Sequence, residues 1–247
     1  MKIIGSFLIY LLNKNFPGEN IKLDVAYGPK ESQKFDEYPS NNKSAPIVIF
    51  WYGGSWKNGS KKIYHFIGHK LQKYGACAFI VDYPKYPEQK FPGFLDDAMS
   101  AIKKIKSLYP DRKIILMGHS AGANTVLILG LSKKKIADKV ISISGVCTLW
   151  PWRWRDVFGD AIDKGLHDPR NYVISANKET EFLLIHGKLD FTVKAKDSIT
   201  LYNEMQGNKI KSRLILITLM DHVLILFFIF VGPLFITRHR LKAFINS

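Results

Sequence analysis

Ser120 sits between two glycines in Met117-Gly118-His119-Ser120-Ala121-Gly122, immediately after the run KIIL. A serine hydroxyl attacks a carbonyl only when a base takes its proton and a third group holds that base in the correct tautomer. The spacing G-x-S-x-G suits a tight turn from strand to helix. Glycines two residues before and two residues after the serine let the backbones approach closely, and the hydroxyl is held above the sheet. So short a motif also arises by chance, and it carries weight only with a strand before it and a helix after it. Both are present: KIILM is short, β-branched and apolar, and ANTVLILGL can continue as a helix.

Seven histidines compete for the role of base. His65 and His69 fall on a predicted helix, His119 inside the elbow, His167 in a tryptophan-rich stretch, His186 at a strand end and His239 in a basic tail. His222 alone lies in the loop directly after the last predicted strand, RLILIT, on the edge where the elbow also lies. For the acid, Asp190 leaves the carboxyl end of EFLLIH, with Asp160, Asp163 and Asp221 as rivals. Asp190 gives the chain order Ser, Asp, His. Donors for a developing oxyanion come from the Ala121 amide and from the turn Gly53-Gly54-Ser55 after IVIFWY, although Gly-Gly after a strand is also ordinary turn chemistry.

These side chains need a scaffold that brings strand ends together. IKLDVAYG and QKFDEYP alternate like an antiparallel pair, whereas IVIFWY, CAFIVDY, KIILM, KVISIS and EFLLIH are continuous apolar runs, as strands buried on both faces are. Between them, Ile63, Phe66, Ile67 and Leu71 keep helical spacing, as do the apolar positions from Phe94 to Leu108. Such alternation predicts a mostly parallel sheet with helices on both faces and ligand chemistry at the strands' carboxyl ends. Residues 148–172 break the alternation with Trp150, Trp152 and Trp154, and their position makes them a roof over Ser120.

The 247 residues, 47% of them hydrophobic, suffice for one full-sized domain. Two cysteines, Cys77 and Cys147, both in apolar segments, imply no disulfide framework, which suits a cytoplasmic protein. The formal charge of +15 raises the question of nucleic acid, but the lysines are scattered and no recognition motif accompanies them, so no nucleic acid partner is expected. Ile3 to Leu12 resembles a short signal core without a cleavage site. The run from Val223 to Ile236 is short for a span, and extending it backwards would bury Asp221 and His222 in the bilayer, so it reads as a loop and core helix after a core strand. Peripheral membrane association through either run stays open.

Together, AYGPKESQKFDEYP, FWYGGSW, VDYPKYPEQKFP, MGHSAGA, LLIHGKLDFTV and MDHVLIL make nearly the whole chain resemble an α/β-hydrolase of the esterase and lipase group, near its carboxylesterase, feruloyl-esterase-like and kynurenine-formamidase-like branches. The resemblance implies a sheet of about eight strands, Ser120 as nucleophile with Asp190 and His222, an oxyanion hole from Gly54, Ser55 and Ala121, and no metal or other cofactor. Two departures stand out: Tyr52-Gly53-Gly54 where the family reads His-Gly-Gly, and Asp82-Tyr83-Pro84 where many members read Asp-Tyr-Arg. The expected activity is ester hydrolysis on a small-molecule substrate with a small to medium apolar acyl group, held by Trp56, Trp150, Trp152 and Trp154. An arylformamidase-type amidase and an inactive scaffold at a membrane or partner surface are the alternatives.

Overall fold

The computed structural model describes residues 20–247, so the apolar run Ile3 to Leu12 lies outside the described residues. Eight strands form one sheet: β1 (Lys22–Ala26), β2 (Lys34–Tyr38), β3 (Ile47–Trp51), β4 (Cys77–Val81), β5 (Ile114–His119), β6 (Lys139–Ile143), β7 (Glu181–Gly187) and β8 (Ser212–Ile217). Their spatial order is β1-β2-β4-β3-β5-β6-β7-β8. β1 and β2 form the expected antiparallel pair, and β2 then runs antiparallel to β4. From β4 to β8 all neighbours are parallel.

Every residue of β3, β4, β5 and β6 is buried, which is why these strands read as unbroken apolar runs rather than as alternations. The cover on the two faces comes from α1 (His65–Lys73), α2 (Gly93–Leu108), α3 (Ala121–Gly130), α4 (Pro151–Phe158), α5 (Ala195–Gly207), α6 (Leu224–Phe230) and α7 (Phe235–Asn246). α1 and α6 pack together, with the Phe66 and Phe230 rings 6.4 Å apart. β3 lies between β4 and β5, so the chain leaves it to one side and comes back on the other. The carboxyl ends of β3 and β5 therefore flank the point where the connections diverge, and a crevice opens there.

The tryptophan-rich segment, which has no regular place in the alternation, is anchored by buried polar groups. Asn124 of α3, fully enclosed, donates from Nδ2 to the carbonyls of Val146 and His167, both at 2.8 Å, and so ties both ends of the tryptophan-rich segment to the helix that follows the elbow. Asp197 of α5 accepts the Cys147 and Thr148 amides at 2.9 Å. The apolar run 223–236 is cut at Gly232-Pro233 into α6 and the start of α7, which meet at 74°. Ile225, Leu226, Ile229 and Phe230 face inward, as do Leu241, Phe244 and Ile245 of α7, so this part of the hydrophobicity packs on the protein itself, whereas Val223, Phe235 and Ile236 are exposed. Among the described residues no single helix is long and apolar enough to cross a membrane.

Candidate active site

The elbow is built by steric necessity. Ser120 adopts φ 53° and ψ −117°, a strained conformation for a residue with a side chain, at the junction of β5 and α3. A Cβ on Gly118 would lie 2.4 Å from the Gly122 carbonyl oxygen, and one on Gly122 would lie 2.2 Å from that of Trp51. Both glycines are therefore contact points between the strand, the helix and the end of β3, and the turn closes only because neither carries a side chain.

His222 and Asp190 meet the serine from two further loops. Ser120 Oγ lies 2.8 Å from His222 Nε2, and His222 Nδ1 lies 2.7 Å from Asp190 Oδ2. Asp190 Oδ1 accepts the Thr192 and Val193 amides at 2.9 and 2.8 Å, so the carboxylate is clamped in one orientation. His186, wholly buried in β7, approaches the same Oδ2 at 3.3 Å while its Nε2 reaches the Val193 carbonyl at 3.0 Å and its Nδ1 accepts from Ser198 Oγ at 2.7 Å. Burial opposes ionisation of Asp190, but the bonds from His186 and His222 outweigh it and hold the carboxyl below the usual carboxylate range. Asp190 is thus ionised and His222 is oriented with Nδ1–H toward it and a free Nε2 toward Ser120, the arrangement of a Ser-His-Asp triad. The rivals are set aside by position: Asp221 caps the start of α6 through the Val223 and Leu224 amides, and Asp163 pairs with Arg155.

The turn after β3 is held against the elbow. A Cβ on Gly53 would lie 2.8 Å from that of Ser120, and Gly54, Ser55 and Trp56 follow with φ of 132°, 59° and 56°. The Lys57 and Asn58 amides close this turn on the Gly54 carbonyl. Among the described residues the amides of Gly54, Ser55 and Ala121 have no internal acceptor. Tyr52, where the family has histidine, is fully buried and donates its hydroxyl to Asp82 Oδ1. Lys85 Nζ reaches the Tyr52 hydroxyl at 3.2 Å, Asp82 at 3.3 Å and the Tyr83 carbonyl at 3.2 Å. Lys85 thereby braces the loop in which the expected arginine is missing.

His119, inside the elbow, has a use that its sequence position did not disclose. Its Nε2–H donates to the His222 carbonyl at 2.8 Å, and its ring packs on that of His222, so it fixes the backbone of the loop that carries the base. Burial first, and then the neighbouring His222, push its pKa down to about 3, so it stays neutral. In the unfolded chain an imidazole titrates near 6.5, so below that pH the unfolded state binds a proton that the folded state refuses. Stability is therefore complete above about pH 6.5 and falls as the pH drops toward the folded value, by about 1.4 kcal/mol per unit for a single such group. Denaturant midpoints at pH 6.5 and 4.5 should show this loss, and His119→Gln should lessen its slope. Equal midpoints for the wild type at the two pH values would contradict it.

A cavity of ≈ 660 Å³ opens over Ser120, lined by Ser55, Trp56, Ala121, Trp150 and Trp154 among others. Trp56 is buried and meets Trp154 edge-on at 5.6 Å, which joins the β3 turn to the tryptophan-rich segment. Trp152 differs from expectation. It is 78% exposed, packs on Trp150 and is absent from the lining. Residues four apart share a helix face and residues two apart do not, so α4 turns Trp154 inward and Trp152 outward.

The sequence model of the α/β hydrolase fold matches residues 48–191, more than half of the chain. Versiconal hemiacetal acetate esterase of Aspergillus parasiticus is 34% identical over 118 residues, 43% of this chain and 34% of that protein. Kynurenine formamidase of Danio rerio is 28% identical over 138 residues, 52% of this chain and 47% of that protein. The chain thus spans less than half the length of these two curated relatives. Esterase B of Lactobacillus rhamnosis, solved with a tributyrin phosphonate inhibitor, superposes with a TM-score of 0.80 at 15% identity over 99% of this chain and 91% of its own. With that model matched over more than half of its length, the chain belongs to the α/β hydrolase fold family.

Proposed function

We propose that the chain is a metal-free serine hydrolase that cleaves carboxylic esters through an acyl-enzyme. The observation that carries this reading is the unbroken relay from Ser120 through His222 to Asp190, open to the cavity. Ser120 Oγ attacks the ester carbonyl carbon while its proton passes to His222 Nε2, and Asp190 stabilises the imidazolium. The oxygen that gains the negative charge faces the amides of Ala121 and of Gly54 and Ser55, whose lack of internal acceptors suits an oxyanion hole. Collapse expels the alkoxide, which takes the proton from His222. Water then attacks the acyl-enzyme carbonyl while His222 takes its proton, and as the bond to Ser120 Oγ breaks His222 returns that proton to the serine and the carboxylic acid is released.

The acyl group rests against Trp56, Trp150 and Trp154, which favours small to medium apolar chains. Ester and amide cleavage use the same relay and differ in leaving-group protonation and pocket shape, which is why kynurenine formamidase among the relatives matters. A series of p-nitrophenyl esters of rising acyl length, run beside N-formylkynurenine, tests the reading: esters should be turned over more efficiently, and the reverse ranking would make the protein an amidase. Trp154→Ala should lower kcat/KM for the preferred ester about ten-fold and shift the optimum to longer chains. Trp152→Ala, which truncates a ring outside the lining, should leave the optimum in place. An unchanged optimum in Trp154→Ala would remove the support for an aromatic acyl pocket.

A further inference from the structure

The cavity over Ser120 is apolar only in part. Beside Trp56, Val146, Leu149 and Trp154, its lining includes Arg153, Arg170, Lys194 and Lys196, against one carboxylate, Asp197. That carboxylate is already engaged. Its oxygens accept the Cys147 amide at 2.9 Å, the Thr148 amide at 2.9 Å and the Thr148 hydroxyl at 3.0 Å. Arg170 is engaged as well, through Nε and Nη2 to Asp168.

Arg153, Lys194 and Lys196 differ. Among the described residues none of them has an ion-pair partner, and Arg153 lies only against the Trp154 ring, 5.8 Å from its centroid. Cations nearby that can reach a carboxylate do so: Lys57 pairs with Asp156 at 2.6 Å and Arg155 with Asp163 at 2.8 Å. At the mouth, exposed cations from two separate elements, α4 and the start of α5, thus collect without an ion-pair partner among the described residues. Cations around a cleft with apolar walls focus the field into it, and unpaired like charges repel each other until an anion arrives.

We propose that the substrate ester carries an anionic group, such as a carboxylate, which Arg153, Lys194 and Lys196 hold while the ester carbonyl lies at Ser120. This rests on the ester-hydrolase reading and adds a charge requirement to it. The site combines an aromatic subsite for the apolar part of the molecule with a cationic rim for the anion. The reaction is unchanged, and the anion neither gains nor loses a bond.

Two matched pairs of probes test the inference. The hydrogen adipate and methyl adipate esters of p-nitrophenol place a carboxylate, or its neutral ester, on the acyl side. 4-Carboxyphenyl butyrate and its methyl ester place the same groups on the leaving side. In the wild type at low salt, at least one charged probe should exceed its neutral partner in kcat/KM about ten-fold, mainly through KM. High salt should erode that ratio, and Arg153→Gln combined with Lys194→Gln and Lys196→Gln should bring it close to one. The pair that shows the preference identifies the side on which the anion is carried. Ratios at or below one in both pairs, or a preference that survives in the triple variant, would overturn the inference while leaving the ester reading intact. Hydrolysis of none of the four probes, with no labelling of Ser120 by a fluorophosphonate, would instead remove the ester reading and the inference with it.

Discussion

Asp190→Asn should lower kcat about 10⁴-fold on any ester the enzyme accepts, with little change in KM. The carboxamide can keep its oxygen on the Thr192 and Val193 amides, which now hold Oδ1 at 2.9 and 2.8 Å. Its NH₂ then replaces Oδ2 opposite His222 Nδ1 and offers a proton where one must be accepted. The imidazole turns to the tautomer protonated at Nε2, which cannot take the proton of Ser120. His186, near the same oxygen, also presents a donor and gives the amide no better orientation. Steady-state kinetics, with thermal melts to show an intact fold, would check this. A loss of less than about ten-fold would mean that Asp190 is not the group that orients the base.

The second large effect is on stability. On an exposed helix, replacing glycine by alanine stabilises by about 1 kcal/mol, but Gly122→Ala should destabilise by about 2–3 kcal/mol. The added methyl would lie 2.2 Å from the Trp51 carbonyl oxygen and 2.6 Å from that of Tyr52, and both atoms belong to backbone that is fixed in the sheet or just beyond it. α3 would have to move away from β3, carrying the elbow with it. For a chain of this size the melting temperature should fall by roughly 5–10 °C, with a parallel loss of activity. A melting temperature at or above that of the wild type would show that the packing of α3 on β3 is looser than described.

The strand ends, the elbow and the chain order of the three site residues were legible because each is written locally: an apolar run followed by glycine, serine or a charged residue. Asp190 and His222 were found from their positions after EFLLIH and RLILIT, and these strands lie side by side as β7 and β8. What was not legible depends on contacts far apart in the chain. Lys85 replaces the missing arginine only because Tyr52, 33 residues earlier, brings its hydroxyl within reach. His119 could be seen inside the elbow, but its bond to the His222 carbonyl spans 103 positions. His186 was read as the end of a strand, and only the folding of the 190–193 loop over it reveals that it touches the acid. The tryptophans were assigned together from the position of their segment, yet helical phase turns Trp152 away from the side that Trp154 faces.

The departure at Tyr52 bears on whether the site is active or a remnant. A scaffold that had lost its chemistry would have no need to keep the β3 turn pressed against Ser120. Here the buried Tyr52 hydroxyl, Asp82 and Lys85 do so with a polar network of their own. Labelling with a fluorophosphonate, which forms a stable adduct only with an activated serine, tests the central claim most directly. The account predicts one adduct, located at Ser120 by peptide mass, absent in Ser120→Ala and slowed beyond detection in His222→Ala. A folded wild type that stays unlabelled, or an adduct that persists in Ser120→Ala, would contradict it.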